Sequence, residues 1–229
     1  MIDLTAHRPT QMNQILEGIA TFIVCCKPEQ IVRVAVDGVD GVGKTTFADK
    51  LGRVVELIGR PVIRSSVDGF HRPRELRYRR GRTSPEGFYF DSYDYPALRR
   101  FLLDPLGPGG SGLYRSVVFD HVTDSPVPVQ TRVAPQGAAL ILDGLFLHRE
   151  ELRGTWDFSI FLDAPFEITI PRGAARGPGW GGSPDPTAPS NRRYIEGQQI
   201  YLRQDQPQAQ ANVVIDYSDL TAPVVTAWR

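Results

Sequence analysis

Apolar positions recur along this chain with two periods. Met12, Ile15, Leu16, Ile19, Phe22 and Ile23 fall at helical spacing and predict an N-terminal amphipathic helix ending near Pro28. Residues 31–37 form an apolar-rich run of strand length, and 47–58 return to helical spacing, closing at Gly59. Runs 61–67, 138–142 and 158–162 are short, and the latter two are nearly continuous in apolar side chains, the mark of strands covered on both faces. Residues 95–103, 149–153, 166–175 and 191–204 predict further helices, with Pro171 limiting the third. Short strands are expected at 116–119, 127–133 and 212–215. Alternation of this kind gives an α/β fold, a mostly parallel sheet flanked by helices.

The junction between the first strand and the second helix carries the clearest chemical signal. Gly38-Val39-Asp40-Gly41-Val42-Gly43-Lys44-Thr45, followed by Thr46, fits G-x-x-x-x-G-K-[ST], the phosphate-binding P-loop. Its setting, strand then glycine loop then helix, is the one the motif requires. Glycines let the backbone curl so that N–H groups converge on an anion, and the helix N-terminus adds partial positive charge. Residues 38–46 are therefore the expected ATP cradle, with Lys44 on the β- and γ-phosphates and the Thr45 hydroxyl on Mg²⁺. The chain thus reads as a P-loop NTPase.

Bulk composition narrows the partners. At 229 residues with 41% hydrophobic content, the chain suits one P-loop domain comprising the N-terminal helix within 1–30 and a lid at about 172–193. Acidic and basic residues balance at 26 each, which gives no general attraction to nucleic acid or membrane. The arginine-rich stretches 72–82 and 172–176 are local, so their partners should be local too. Cys25 and Cys26 are adjacent, unsuited to a disulfide or metal site, and read as small buried side chains. No signal peptide or membrane-length apolar run is visible, so a reducing cytoplasm is expected. Composition leaves a homo-oligomer open.

Phosphoryl transfer needs a base, a metal ligand and positive charge around the moving group. Asp68 follows a buried strand and precedes Gly69, so it is delivered to the sheet edge that carries the P-loop, where ligands of open α/β sheets bind. It is the expected catalytic base; a local cap is the competing reading. Asp143 follows the central apolar strand, as a second Mg²⁺ ligand would. Arg172 and Arg176 share a helical face and, with Arg192 and Arg193, bracket a stretch, 177–190, holding four Gly and four Pro. That stretch lacks core-building power and reads as a flexible lid whose arginines close over phosphates. Residues 72–92 read as an active-site loop. Within it Phe88, Tyr89, Phe90 and Tyr93 alternate with Glu86, Asp91 and Asp94, which suits either a flat hydroxylated ring or a small hydrophobic cluster. Asp120-His121 is a weaker candidate.

With these residues in place the sequence resembles the uridine kinase family of P-loop kinases, related to phosphoribulokinase and bacterial pantothenate kinase. Val36-Asp37-Gly38 leading into the loop is similar to that family's opening. Asp68-Gly69-Phe70-His71 resembles its Asp-Ser-Phe-Tyr, with His71 in place of tyrosine; the Asp is the family's base. Asp91-Ser92-Tyr93-Asp94 resembles the end of its ribose-binding segment, which implies that Glu86 or Asp91 holds ribose. Phe119-Asp120-His121 is similar to its Tyr-Asp-Phe, implying base contacts by Asp120 and His121. Leu142-Asp143-Gly144-Leu145-Phe146 resembles its Leu-Glu-Gly-Ile, and Arg172 fits its lid arginine. Arg176-Gly177 departs from the family's Arg-Asp. The resemblance covers about residues 31–218 and implies ATP- and Mg²⁺-dependent phosphorylation of a hydroxyl on a small metabolite, a nucleoside first. A kinase for pantothenate or another vitamin-like or specialised alcohol is the nearest rival, and a nucleotide-binding switch is the rival of another class.

Overall fold

The computed structural model describes residues 10–128, 130–175 and 182–229. In chain order the helices are α1 (Gln11–Cys25), α2 (Lys44–Leu57), α3 (Arg74–Arg77), α4 (Pro85–Asp91), α5 (Tyr95–Leu98), α6 (Phe166–Ala174), α7 (Arg192–Gln204) and α8 (Pro207–Gln210). The strands are β1 (Val32–Gly38), β2 (Val62–Ser66), β3 (Leu113–Tyr114), β4 (Phe119–Asp120), β5 (Ser125–Pro126), β6 (Arg132–Val133), β7 (Ala139–Asp143), β8 (Phe158–Asp163), β9 (Val213–Asp216) and β10 (Val224–Trp228).

Six strands form the main sheet in the order β10-β9-β8-β1-β7-β2, parallel except for the β10 edge. Period-two alternation sorts its side chains onto two faces. Val34 and Val36 of β1 and Ile141 of β7 join α1 and α2 in one core; Ala35, Leu140 and Leu142 join Phe70, Leu102 and Phe146 in the other. Both faces are buried, which is why β7 reads as an unbroken apolar run in sequence. The chain passes from β1 to β2 across β7, and the carboxyl ends of all three strands meet at one edge. Register fixes the heights: Asp143 lies level with Val36 of β1 and with Ser66 of β2.

Several expectations change. Phe22 is 43% exposed although it stacks on Phe158 at a centroid distance of 4.7 Å, so the buried stripe of α1 runs through Ile19 and Ile23 instead. Cys25 is exposed and Cys26 half-buried, not a buried pair, because they fall at the C-terminal end of α1, off its buried stripe. Residues 72–92 are two short helices and their links rather than one loop; Ser84 caps α4 by accepting from the Gly87 amide, with Pro85 in the first turn. The region 113–133 forms two small two-stranded ribbons, β3 with β6 and β4 with β5. Helix 95–103 is the single turn α5 followed by a wider π-type turn at Arg99–Leu103. Strand β10 was not foreseen: its half-exposed edge pattern gives little apolar signal. Among the described residues no helix is long and apolar enough to cross a membrane.

Candidate active site

The loop between β1 and α2 is fixed by contacts that only glycine permits. Gly41 has φ 76°, and a Cβ there would lie 2.0 Å from the Thr169 carbonyl of α6. Gly43, at φ 108°, starts α2 without a side-chain cap. The amides of Gly43, Lys44, Thr45 and Thr46 have no acceptor among the described residues. They converge where the helix dipole favours an anion. The loop is anchored at both ends. The Gln198 side chain of α7 accepts from the Asp40 amide at 2.6 Å. Buried Asp37 accepts from the Gly38 amide at 2.7 Å, from the Leu147 amide at 3.1 Å, and from Tyr201 Oη; its Oδ2 also lies 2.7 Å from His148 Nδ1. Val39 and Val42 turn their side chains into the core and offer the site only backbone. Lys44 Nζ donates to the Val39 carbonyl at 2.9 Å, folded over the loop. Burial pulls the Lys44 ammonium below its ordinary pKa, while Asp40, Asp37, Asp68 and Asp143 oppose that fall.

Asp143 lies beside Thr45, at the end of β7. Its Oδ2 accepts from the Thr45 hydroxyl at 2.7 Å, and its Oδ1 accepts from Arg64 Nη2 at 2.8 Å. A threonine hydroxyl and a carboxylate this close form a hard oxygen set, suited to Mg²⁺ that arrives with a triphosphate rather than in an all-protein cage. Among the described residues no group of three His, Cys, Asp or Glu could hold a metal without such help. Arg64, from β2, also binds Asp49 at 2.9 Å and so aims Asp143.

The P-loop end opens into a cavity of about 500 Å³ lined by Lys44, Thr45, Asp143, Asp68, His71 and Tyr93. Asp68 sits in a 3₁₀ turn, Val67–Phe70, started by Ser66, whose hydroxyl accepts from the Asp68 amide at 3.3 Å. Its carboxylate is open to the cavity and accepts from Tyr93 Oη at 3.2 Å. Crowding by the cleft walls raises the Asp68 carboxyl above its ordinary pKa; His121 and Lys44 oppose the rise, and Asp40 and Asp143 add to it. His71 and His121 stack at a centroid distance of 4.6 Å on the same wall. Burial, His121 and Arg77 push His71 down to about 3, so its imidazole is neutral.

Other expected site residues lie elsewhere. Asp91, the last residue of α4, is fully buried and binds Arg79 at 2.6 Å and Arg80 at 2.9 Å, so it anchors the preceding segment and does not line the cavity. Glu86 is exposed in the first turn of α4 and accepts from the Ser84 hydroxyl at 3.1 Å. The Asp120 carboxylate accepts from the Val122 amide and the Thr123 hydroxyl, both at 2.8 Å, and shapes the β4–β5 turn. Arg172 donates to the Tyr217 carbonyl at 2.9 Å and to the Ser218 carbonyl, so its guanidinium is committed to the end of β9 rather than to the cavity. Arg176 lies outside the described residues, as do 177–181 of the expected lid. Arg193 does line the cavity, together with Arg74, Arg77, Tyr78 and Tyr194, which sequence reading did not single out. The signal for Arg74 and Arg77 was present only as an undivided basic stretch.

No family model and no curated protein matches this chain. Solved structures do. A possible uridine kinase from Bacillus stearothermophilus is 21% identical, with 89% of this chain and 98% of that one covered at a TM-score of 0.70. A protein from Silicibacter sp. TM1040, provisionally described as a fructose transport system kinase, is 22% identical, with 86% and 95% covered at 0.67. Phosphoribulokinase from Rhodobacter spheroides is 14% identical, with 83% and 71% covered at 0.55. The fold is thus that of a P-loop kinase. The fold is the one shared by these uridine kinase-like and phosphoribulokinase structures, in agreement with the resemblance carried by the sequence.

Proposed function

We propose that this protein transfers the γ-phosphoryl group of ATP, with Mg²⁺, to a hydroxyl of a small metabolite. One observation carries the reading: a single cavity joins Lys44 and Thr45 of the P-loop, Asp143 beside them, and Asp68 with its own wall of side chains. The open amides at the start of α2 and the Lys44 ammonium would bind the β- and γ-phosphates. Thr45 and Asp143 would hold Mg²⁺, which when bound neutralises charge on the transferring group. Asp68 would orient the acceptor hydroxyl and take its proton, and its raised pKa makes it a stronger base than an ordinary carboxylate. A nucleotide switch has no use for a carboxylate facing a second, substrate-sized space.

For the acceptor, the neighbours' descriptions offer a nucleoside or a sugar. Of the aromatic residues read either as a wall for a flat hydroxylated ring or as a small hydrophobic cluster, Phe88, Tyr89 and Phe90 pack on one another and on Phe146. Tyr89 packs edge-on against Phe146 at 5.6 Å, Phe88 does so at 5.4 Å, and exposed Phe90 packs edge-on against Tyr89 at 4.6 Å. Tyr78, Phe88, Tyr93 and Tyr194 line the cavity. Acceptor-dependent ADP release is the test. A small alcohol that raises ADP formation well above the ATP-only rate supports the kinase. Slow hydrolysis that no alcohol stimulates would instead favour the switch.

A further inference from the structure

We infer that the acceptor carries an anionic group, a carboxylate or phosphate ester set apart from its reacting hydroxyl, received by Arg74, Arg77 and Arg193 on the cavity wall. The inference deepens the kinase reading and rests on it for the acceptor's role, while the anion site can be tested without turnover.

The argument is one of uncompensated charge. Three guanidinium groups line the cavity, Arg77 beside His121 and His71 and Arg193 against the Arg77 carbonyl. Arg74 is exposed to it, and its side chain has no hydrogen bond or ion pair among the described residues; only its backbone amide is engaged, donating to Asp124 at 2.8 Å. Arg77 is 8% exposed. Its Nη2 reaches Asp124 and the His121 carbonyl, at 3.2 and 3.3 Å, but its buried Nε has no partner. Arg193 is 5% exposed and donates only to backbone carbonyls, of Gly81, Ser84 and Arg77, at 3.2, 2.9 and 3.1 Å. Arg77 and Arg193 both lie over the Tyr78 ring, 5.6 and 4.8 Å from its centroid.

A buried cation without a carboxylate is costly, and so is a buried donor left unpaired. Nearby acids repay these costs only in part: Arg77 has one ion pair, to Asp124, and among the described residues Arg193 has none. Asp91 is taken by Arg79 and Arg80, Asp143 by Arg64 and Thr45, and Asp124 gives one oxygen to Arg77. The neighbouring His71 has a buried Nδ1 that is also unpartnered, and its imidazole is neutral. The donor phosphates already have Lys44 and the helix amides to receive them. Planar guanidiniums meeting an unpaired buried donor match the geometry of carboxylate or phosphate oxygens.

The first test is calorimetric binding of inorganic phosphate to the full chain saturated with Mg²⁺ and a non-hydrolysable ATP analogue, so that the γ-phosphate position is filled. One further phosphate site is expected, weakened about tenfold or more in Arg74→Ala. Arg74 holds no other part of the chain, so the variant should fold and melt as the wild type does. No further site, or equal affinity in both proteins, overturns the inference. A variant that weakens the analogue instead of phosphate puts Arg74 on the donor and overturns it too. The second test is ADP release with nucleosides, neutral sugars, hydroxy acids and sugar monophosphates. Hydroxy acids or sugar monophosphates should stimulate it, and whichever responds tells carboxylate from phosphate. Arg74→Ala should raise KM for that compound more than it lowers kcat. Preference for an uncharged nucleoside or sugar overturns the inference and leaves the kinase standing. A phosphate site with no stimulated turnover upholds the anion site and tells against the kinase reading.

Discussion

The two ends of the cavity solve opposite problems. At the P-loop end nearly every side chain is committed within the protein: Lys44 to Val39, Thr45 to Asp143, Asp143 to Arg64, Asp37 to the loop and to α7. What is left for a ligand there is backbone, the amides of an uncapped helix. At the acceptor end side-chain donors are left over: among the described residues the Arg74 guanidinium has no hydrogen bond or ion pair, and Arg77 Nε and His71 Nδ1 are buried and unpaired. A cradle built from backbone recognises what all nucleoside triphosphates share. A wall built from spare side chains recognises whatever distinguishes one acceptor from another. The fold predicts the first and leaves the second to a few residues.

Substitutions can break that contrast. Among the donor-end substitutions the largest effect is expected at Lys44, whose ammonium must leave the Val39 carbonyl to act. Lys44→Met should lower kcat/KM by about 10²–10³-fold in steady-state assays, with the melting temperature little changed. Asp91→Asn would act on the acceptor end through its scaffold. Burial alone would raise the Asp91 carboxyl, but hydrogen bonds and charge from Arg79 and Arg80 outweigh it and hold the group low. Its contribution to stability is therefore full above the unfolded-state pKa and lost as pH falls through the depressed native one. Urea unfolding at pH 7 should show a loss of about 2 kcal/mol, below the usual value for a broken buried pair because both arginines are half-exposed. The smallest effect is expected at Arg64, which only aims Asp143. Arg64→Ala should raise the Mg²⁺ concentration for half-maximal activity by about tenfold or less, read from a magnesium titration.

The contrast also explains what the sequence could show. Backbone-built features have local signatures. The glycine loop, the apolar run of β7 ending at Asp143, and Asp68 after β2 were all legible, because each depends on neighbours in the chain and on one sheet edge. Side-chain commitments depend on partners far away. Nothing near Arg172 reveals that carbonyls of residues 217 and 218 take its guanidinium. Nothing near Asp91 distinguishes a ribose ligand from an anchor for Arg79 and Arg80. The basic stretch 72–82 finds local partners for Arg79 and Arg80, whereas the Arg74 guanidinium has none among the described residues, which only the folded chain reveals. Strand β10 escaped for another reason, since an edge strand with one covered face lacks the apolar run that marked β7 and β8.

Asp68 is where the two ends meet, and its chemistry has a sign that can be checked. It accepts a proton only when ionised, and its native pKa lies above the ordinary 3.8. Activity should be full above that native pKa and fall as pH drops through it, at a higher pH than an unperturbed carboxylate would give. The most direct measurement compares wild type and Asp68→Asn in acceptor-dependent ADP release, with affinity for ATP measured on the same preparations. The predicted result is a fall in kcat of about 10²–10⁴-fold with ATP affinity retained. Near-normal turnover in Asp68→Asn would contradict the account.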